Sequence, residues 1–244
     1  MPGLTKLYTD VKQRNLSYLI FYVVKAINGS LNKLRFLVNK RVIYTIGHSN
    51  HPIEIFIALL KKHGITAVAD VRSVPYSRRH PQFNKDAIAT SLKNEGIAYV
   101  FLGKELGARQ PVADSLRSAS TDEVLASFEE ITQKNTFKEG IERVFKGSEE
   151  YRVALMCAEK EPLNCHRTLL VCRNLKRPGV SIMHILYDGT LEDNSDTEKR
   201  LVKLTGVGAD LFDPAMSEDE ILEAAYTKRE EKIVKSDKKE VRHE

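Results

Sequence analysis

From Val42 onward, short runs rich in β-branched residues alternate with longer helix-patterned stretches, and this alternation constrains the fold more than any other feature. A chain patterned in this way builds an α/β domain: a mostly parallel open sheet with helices on both faces. The spacing predicts strands near 42–46 (VIYTI), 65–71 (ITAVADV), 97–102 (IAYVFL), 152–157 (RVALMC) and 181–186 (SIMHIL). Residues 52–63 put Ile53, Phe56, Ile57 and Leu60 on one helical face, closed by Gly64. Asn84 caps a second helix that Gly96 stops. Further helices are expected over 121–133, over 137–146, and from Pro162 at a first turn to about Leu175. Near the C-terminus the pattern predicts helices over 196–204 and from about 218, where Ser217 and Glu220 make a capping-box pair. The expected organisation is an N-terminal amphipathic basic extension over 1–41, an α/β domain over 42–189, and a C-terminal helical appendage with a charged tail over 190–244.

The formal charge of +5 invites a nucleic-acid reading, so its distribution matters. Residues 1–40 carry seven basic side chains against Asp10 alone, a net of +6, and the remainder of the chain sums to −1. Because electrostatic steering depends on local potential, duplex DNA binding loses most of its compositional support. The apolar run 16–27 contains Lys25 and falls well short of the ~20 residues a membrane span needs. Leu16, Leu19, Ile20, Val23, Ile27, Leu31, Leu34 and Val38 recur at helical spacing. A helix packing on the domain or on a second copy of it is the plain reading, which makes residues 16–38 a candidate homodimer surface. The alternatives are a helix lying on a membrane surface and a start codon assigned too far upstream. Three cysteines clustered within sixteen residues make a poor disulfide framework, so a reducing, cytoplasmic setting is expected.

In an open parallel sheet, ligands bind beyond the carboxyl ends of the strands. The first strand delivers Gly47, His48, Ser49 and Asn50 to that edge, and the second delivers Asp70 and Arg72, followed by Arg78, Arg79 and His80. Asp70 and Arg72 stand two residues apart, so they share a face: the carboxylate orients a planar guanidinium fork suited to phosphate or carboxylate. The third strand runs into LGKELGAR, where Gly103 and Gly107 bracket Glu105 and allow close backbone approach to a ligand. The fourth ends in Cys157, Ala158 and Glu159, then Cys165, His166 and Arg167.

A thiol at a strand end facing a helix N-terminus has surroundings that make a nucleophilic thiolate, so Cys157 is a catalytic candidate. Its plain alternative is a small apolar residue closing a buried strand. The cysteine-phosphatase spacing C-x5-R fails, since Leu163 occupies the arginine position. Cys165, Leu169 and Cys172 fall at i, i+4 and i+7, a core stripe, which reads Cys165 and Cys172 as packing residues. The C-x7-C spacing is not the tight C-x2-4-C pair of structural zinc, and no metal or other cofactor is expected. His166 and Arg167 belong to a first helical turn, where backbone N–H groups favour an anion. His184, inside its strand, reads as a satisfied core histidine.

The segments YTIGHSN (44–50), ADVRSVPYSRR (69–79), FLGKELGAR (101–109), MCAEKEPLNCHR (156–167) and HIL-x-DG (184–189) together resemble the bacterial domain-of-unknown-function family 488. The resemblance spans roughly 42–189. It implies a compact α/β fold and singles out Gly47, His48, Ser49, Asp70, Arg72, Glu159, Cys165, His166 and Arg167, but it implies no substrate.

The leading expectation is an enzyme or enzyme-like domain that binds a small anionic ligand, a nucleotide or another phosphate-bearing metabolite, at the strand ends. Arg72, Arg78 and Arg167 would hold the anion, with Gly47, Ser49, Asp70 and Glu105 completing the ligand site. His48 or His166 would transfer protons, and Cys157 or Glu159 would act as nucleophile or base. Two other classes compete: a nucleic-acid-associated, repair-type protein using the SRRH loop and the N-terminal arm, and a non-catalytic binding or regulatory module.

Overall fold

The computed structural model of the chain describes residues 41–110, 126–208 and 216–240. The expected N-terminal arm, the dimerising helix over 16–38 and the start of the helix expected over 121–133 lie outside the described residues.

All five expected strands form: β1 (Arg41–Gly47), β2 (Ala67–Asp70), β3 (Ala98–Phe101), β4 (Val153–Cys157) and β5 (Val180–Ile185). A three-residue strand, β6 (Leu191–Asp193), joins them without a counterpart in the sequence reading. The sheet order is β3-β2-β4-β1-β5-β6, parallel throughout except that β6 runs antiparallel to β5.

Side chains alternate between the two sheet faces, so each strand feeds two cores. On one face, Tyr44, Ile46, Val68, Ala154 and Met156 pack against Phe56 and Leu60 of α1 (Ile53–Lys62) and Ile88 and Leu92 of α2 (Lys85–Asn94). Gly64 and Gly96 follow these two helices in the left-handed region, at φ +63° and +72°. The other face carries α3 (Gly103–Leu106), α4 (Phe128–Gln133), α5 (Asn135–Glu150) and α6 (Arg167–Leu175), against Ile43, Ala67, Ala69, Leu155 and Ile182. The last of these helices departs from expectation. It begins only after a 3-10 turn over Pro162–Asn164 and an extended Cys165, winds as a π-helix over Arg167–Cys172, and turns α-helical over Arg173–Leu175.

Beyond Gly189, α7 (Asn194–Thr205) and α8 (Glu218–Glu240) add Leu201, Ala225 and Tyr226 to the same second core. The capping box ahead of α8 is present: the Glu220 amide donates to the Ser217 hydroxyl at 3.3 Å, and the Ser217 amide donates to the Glu220 carboxylate at 2.8 Å.

Adjacent strands β1 and β4 thus send their following helices, α1 and α6, to opposite faces of the sheet. Their loops diverge and leave a crevice at the carboxyl edge, the topological switch point at which open α/β sheets take ligands.

Candidate functional site at the sheet switch point

The loop after β1 is zipped onto the loop after β4. The His48 amide donates to the Cys157 carbonyl at 2.9 Å, and the Ser49 amide donates to the Ala158 carbonyl at 2.8 Å. Gly47 makes this possible, because a Cβ there would lie 1.9 Å from the Glu159 carbonyl oxygen. That carbonyl also accepts from Arg167 Nη1 at 2.7 Å, and the Lys160 carbonyl accepts from Nη2 at 3.5 Å. Arg167 is 0% exposed, and its Nε has no hydrogen-bond partner among the described residues. Its fork therefore shapes the loop from within the core instead of reaching toward solvent.

Asp70 and Arg72 share a face as their spacing predicts, and they form a buried ion pair. Arg72 Nε donates to Asp70 Oδ1 at 2.9 Å and Nη2 donates to Oδ2 at 2.6 Å. Asp70 also accepts from the Tyr99 hydroxyl at 2.8 Å. Nη2 reaches the Phe83 carbonyl at 2.8 Å, and Nη1 meets His48 Nε2 at 3.2 Å. On its other side, His48 places Nδ1 2.9 Å from the Ser49 carbonyl oxygen. A carbonyl only accepts, so Nδ1 carries the hydrogen and Nε2 accepts from the guanidinium. Burial, then the Arg72 charge, lowers the His48 pKa to about 4. With its ring stacked on Phe83 at 4.2 Å, His48 is a neutral wall of the site whose two nitrogens are both engaged.

Below the crevice lies a cluster of thiols. Cys157 and Cys165 both donate to Glu159 Oε2, at 2.9 and 3.0 Å. His166 Nδ1 stands 3.5 Å from Cys157 Sγ, while His166 Nε2 is 2.9 Å from the Val71 carbonyl oxygen. Cys165 packs in the second core with Leu169 and Cys172, as its stripe predicts, and the extended backbone before α6 also brings its Sγ to Glu159. Burial alone would raise the Cys165 thiol, but the neighbouring Cys157 and the charges of Arg167 and His166 bring it well below its ordinary value. Burial and the neighbouring Cys165 push Cys157 in the opposite direction. Glu159 is also raised, first by burial and then by Cys165.

Above the cluster opens a cleft of about 420 Å³, lined by His48, Ser49, Asn50, Arg72, Val74, Tyr76, Ser77, His80, Ala158, Glu159 and Lys160. The loops after β1, β4 and β5 meet at its rim. There Tyr187 stacks on His51 at 4.1 Å, donates to Asn50 Oδ1 at 3.1 Å, and lies under Lys160 Nζ at 3.9 Å.

The structure brings Gly47, His48, Ser49, Asp70, Arg72, Cys157, Glu159, His166 and Arg167 to this one edge. It does not bring Arg78 or Glu105. Arg78 is exposed on its loop outside the lining, and Glu105 pairs with Arg143 of α5. The glycines flanking Glu105 serve the fold as well. A Cβ on Gly103 would meet the Arg72 carbonyl at 1.9 Å, and one on Gly107 would meet Ser73 Oγ at 2.4 Å. Lys160, Tyr76 and Ser77 line the cleft without having been singled out. Their one signal was position, immediately beside Glu159 and within the loop after Arg72.

A parallel α/β sheet with a polar cleft at its switch point defines the class. Within it the chain belongs to the family described as Domain of unknown function DUF488, whose model matches residues 52–173, half of the chain. The Gly47-His48-Ser49 turn lies just ahead of the matched stretch and nevertheless belongs to the same site. No curated protein and no solved structure is matched by the chain.

Proposed function

We propose that the cleft binds a small phosphate-bearing anion of nucleotide size and that the protein acts on it as an enzyme, with the reacting end of the ligand at Glu159. The lining carries this reading. Arg72 and Lys160 bring positive charge, Ser49, Tyr76 and Ser77 bring hydroxyls, and Glu159 is the one acid among the lining residues. A volume of about 420 Å³ falls within the ~300–1,000 Å³ typical of small-molecule sites. Tyr76, 62% exposed, offers a face on which a planar ring can stack. The raised Glu159 carboxyl stands where groups tuned for proton exchange are found.

A thermal-shift and calorimetric panel of nucleoside mono- and diphosphates and sugar phosphates tests the reading. At least one of them should bind, and Lys160→Ala should weaken that binding about tenfold, the loss of one charge-assisted contact. Glu159→Gln should preserve binding and abolish turnover. A panel without a single binder, or binding indifferent to Lys160→Ala, removes the anion site.

A further inference from the structure

Cys157, Glu159, Cys165 and His166 each offer one ligand atom, and these four atoms lie within 4.8 Å of one another. We propose that they form a binding site for one divalent, thiophilic metal ion of the zinc type, held by the two thiolates, His166 Nδ1 and a Glu159 carboxylate oxygen. The site does not rest on the anion reading. Glu159 is the one residue that the two share.

Geometry is the first support. Tetrahedral zinc with bonds near 2.0–2.3 Å sets its ligand atoms ~3.3–3.8 Å apart. Here Glu159 Oε2 stands 2.9 and 3.0 Å from the two sulfurs, and His166 Nδ1 stands 3.5 Å from Cys157 Sγ. Shifts of under about 1 Å complete the tetrahedron. The long spacing between the cysteines is no obstacle, because the 3-10 turn Pro162–Asn164 folds the chain back and delivers Cys165 beside the end of β4.

The second support is the imidazole. A carbonyl only accepts, so His166 Nε2 carries the hydrogen and donates it to Val71 at 2.9 Å. In the neutral ring, the form that binds a metal, Nδ1 is left with its lone pair facing the thiols. A histidine anchored through one nitrogen to a backbone carbonyl and bare at the other is the arrangement that metal-bound histidines use. The Arg167 amide, 3.4 Å from Cys165 Sγ, supplies a comparable anchor to the second sulfur.

Charge is the third. Arg167 is fully buried with Nη1 and Nη2 on carbonyl oxygens, and no carboxylate pairs with it among the described residues. Two thiolates and one carboxylate carry −3, and a divalent ion together with Arg167 carries +3. The pocket is then neutral without any acid retaining a proton. Two sulfurs and an imidazole select a zinc-like ion over magnesium or calcium, which take oxygen ligands. Glu159 is the ligand open to the cleft, so it marks the position at which a bound molecule would meet the metal.

The experiment uses the full-length, tag-free chain, with elemental analysis of the purified protein followed by cobalt and zinc titration of chelator-treated, reduced protein. One zinc per chain is expected, together with a one-to-one cobalt complex showing thiolate charge-transfer and tetrahedral ligand-field absorption that zinc bleaches. Cys157→Ser and Cys165→Ser should each weaken binding by about 100-fold or more. Cys172→Ser, at a buried thiol outside the cluster, should leave the stoichiometry at one. The proposal is overturned if wild-type protein with all three thiols titrating as free binds neither ion, or if the Cys157→Ser, Cys165→Ser double variant keeps the cobalt charge-transfer band. Metal binding with no response to any phosphate ligand sustains this site while removing the anion reading.

Discussion

Arg167 grips Glu159 from inside the core, its Nη1 donating to the Glu159 carbonyl oxygen at 2.7 Å from a side chain that solvent does not reach. Arg167→Met keeps most of the volume but leaves the Glu159 and Lys160 carbonyls without their donors. The expected loss is about 2–4 kcal/mol of stability, read from urea unfolding. Arg167→Lys should lose less. A methionine variant as stable as wild type would show that the loop does not depend on this grip.

Gly47 and Gly96 separate a steric demand from a conformational one. A Cβ on Gly96 meets nothing within 4 Å, so Gly96→Ala should cost only the left-handed backbone penalty of about 1–2 kcal/mol. Gly47→Ala drives a carbon into the Glu159 carbonyl, and the loop must move. We expect a cost of about 3 kcal/mol and, as the distinguishing readout, faster reaction of Cys157 and Cys165 with a thiol reagent. Equal thiol reactivity in the two alanine variants would contradict this account.

The Asp70–Arg72 pair should show the asymmetry of buried ion pairs. Asp70→Asn strands a buried guanidinium and should cost about 3–5 kcal/mol. Adding Arg72→Met should return part of that loss, giving a coupling energy in a double-mutant cycle. Tyr99→Phe, which removes only one hydrogen bond to Asp70, should cost about 1 kcal/mol. Strict additivity of the Asp70 and Arg72 changes would mean that the pair contributes no specific interaction.

Acid sensitivity follows from two neutral histidines. Burial lowers both His48 and His184 from 6.5 to about 4 in the folded chain, helped at each by a neighbouring arginine. Between those values the unfolded chain binds more protons, so stability falls as pH drops from about 6.5 to about 4 and these two groups add nothing further below it. Each contributes at most about 3 kcal/mol. His166, whose pKa is raised, works in the opposite sense: its contribution is full below 6.5 and is lost as pH rises through its folded value. His184 is satisfied by Thr45 and Asn194, at 2.8 and 3.0 Å, and His184→Gln should reduce the acid slope by about one proton. An unchanged slope in that variant would assign the acid loss to other groups.

Alternation of pattern was enough to read the five parallel strands, since each is a β-rich run bounded by glycine or a polar turn. Placing His48, Asp70, Arg72, Cys157 and Glu159 on one edge needed only the rule that parallel strands present their carboxyl ends together. What escaped the sequence depended on geometry that sequence spacing does not carry. The i, i+4, i+7 stripe put Cys165 in the core but assumed continuous α winding from Pro162, and the 3-10 turn and extended residue that break this winding carry its Sγ to Glu159. Arg167 looked like an open anion fork because nothing local indicates that its Nη1 and Nη2 end on carbonyls seven and eight residues back. Glu105 found its partner 38 residues away in Arg143, and β6, three residues long, lacks enough alternation to register.

The π winding of Arg167–Cys172 has a further consequence for how the chain tolerates changes in length. A π turn holds one more residue than the α turn it replaces, with both flanks left in place. Removing a single residue from 168–172 should therefore tighten the turn to α winding while Arg167 and Leu175 stay where they are. The same deletion within α5 would rotate everything beyond it by about 100° and pull Ile141, Val144 and Phe145 off their core face. Among the described helices, this short stretch beside the thiol cluster is thus one in which a deletion is absorbed locally.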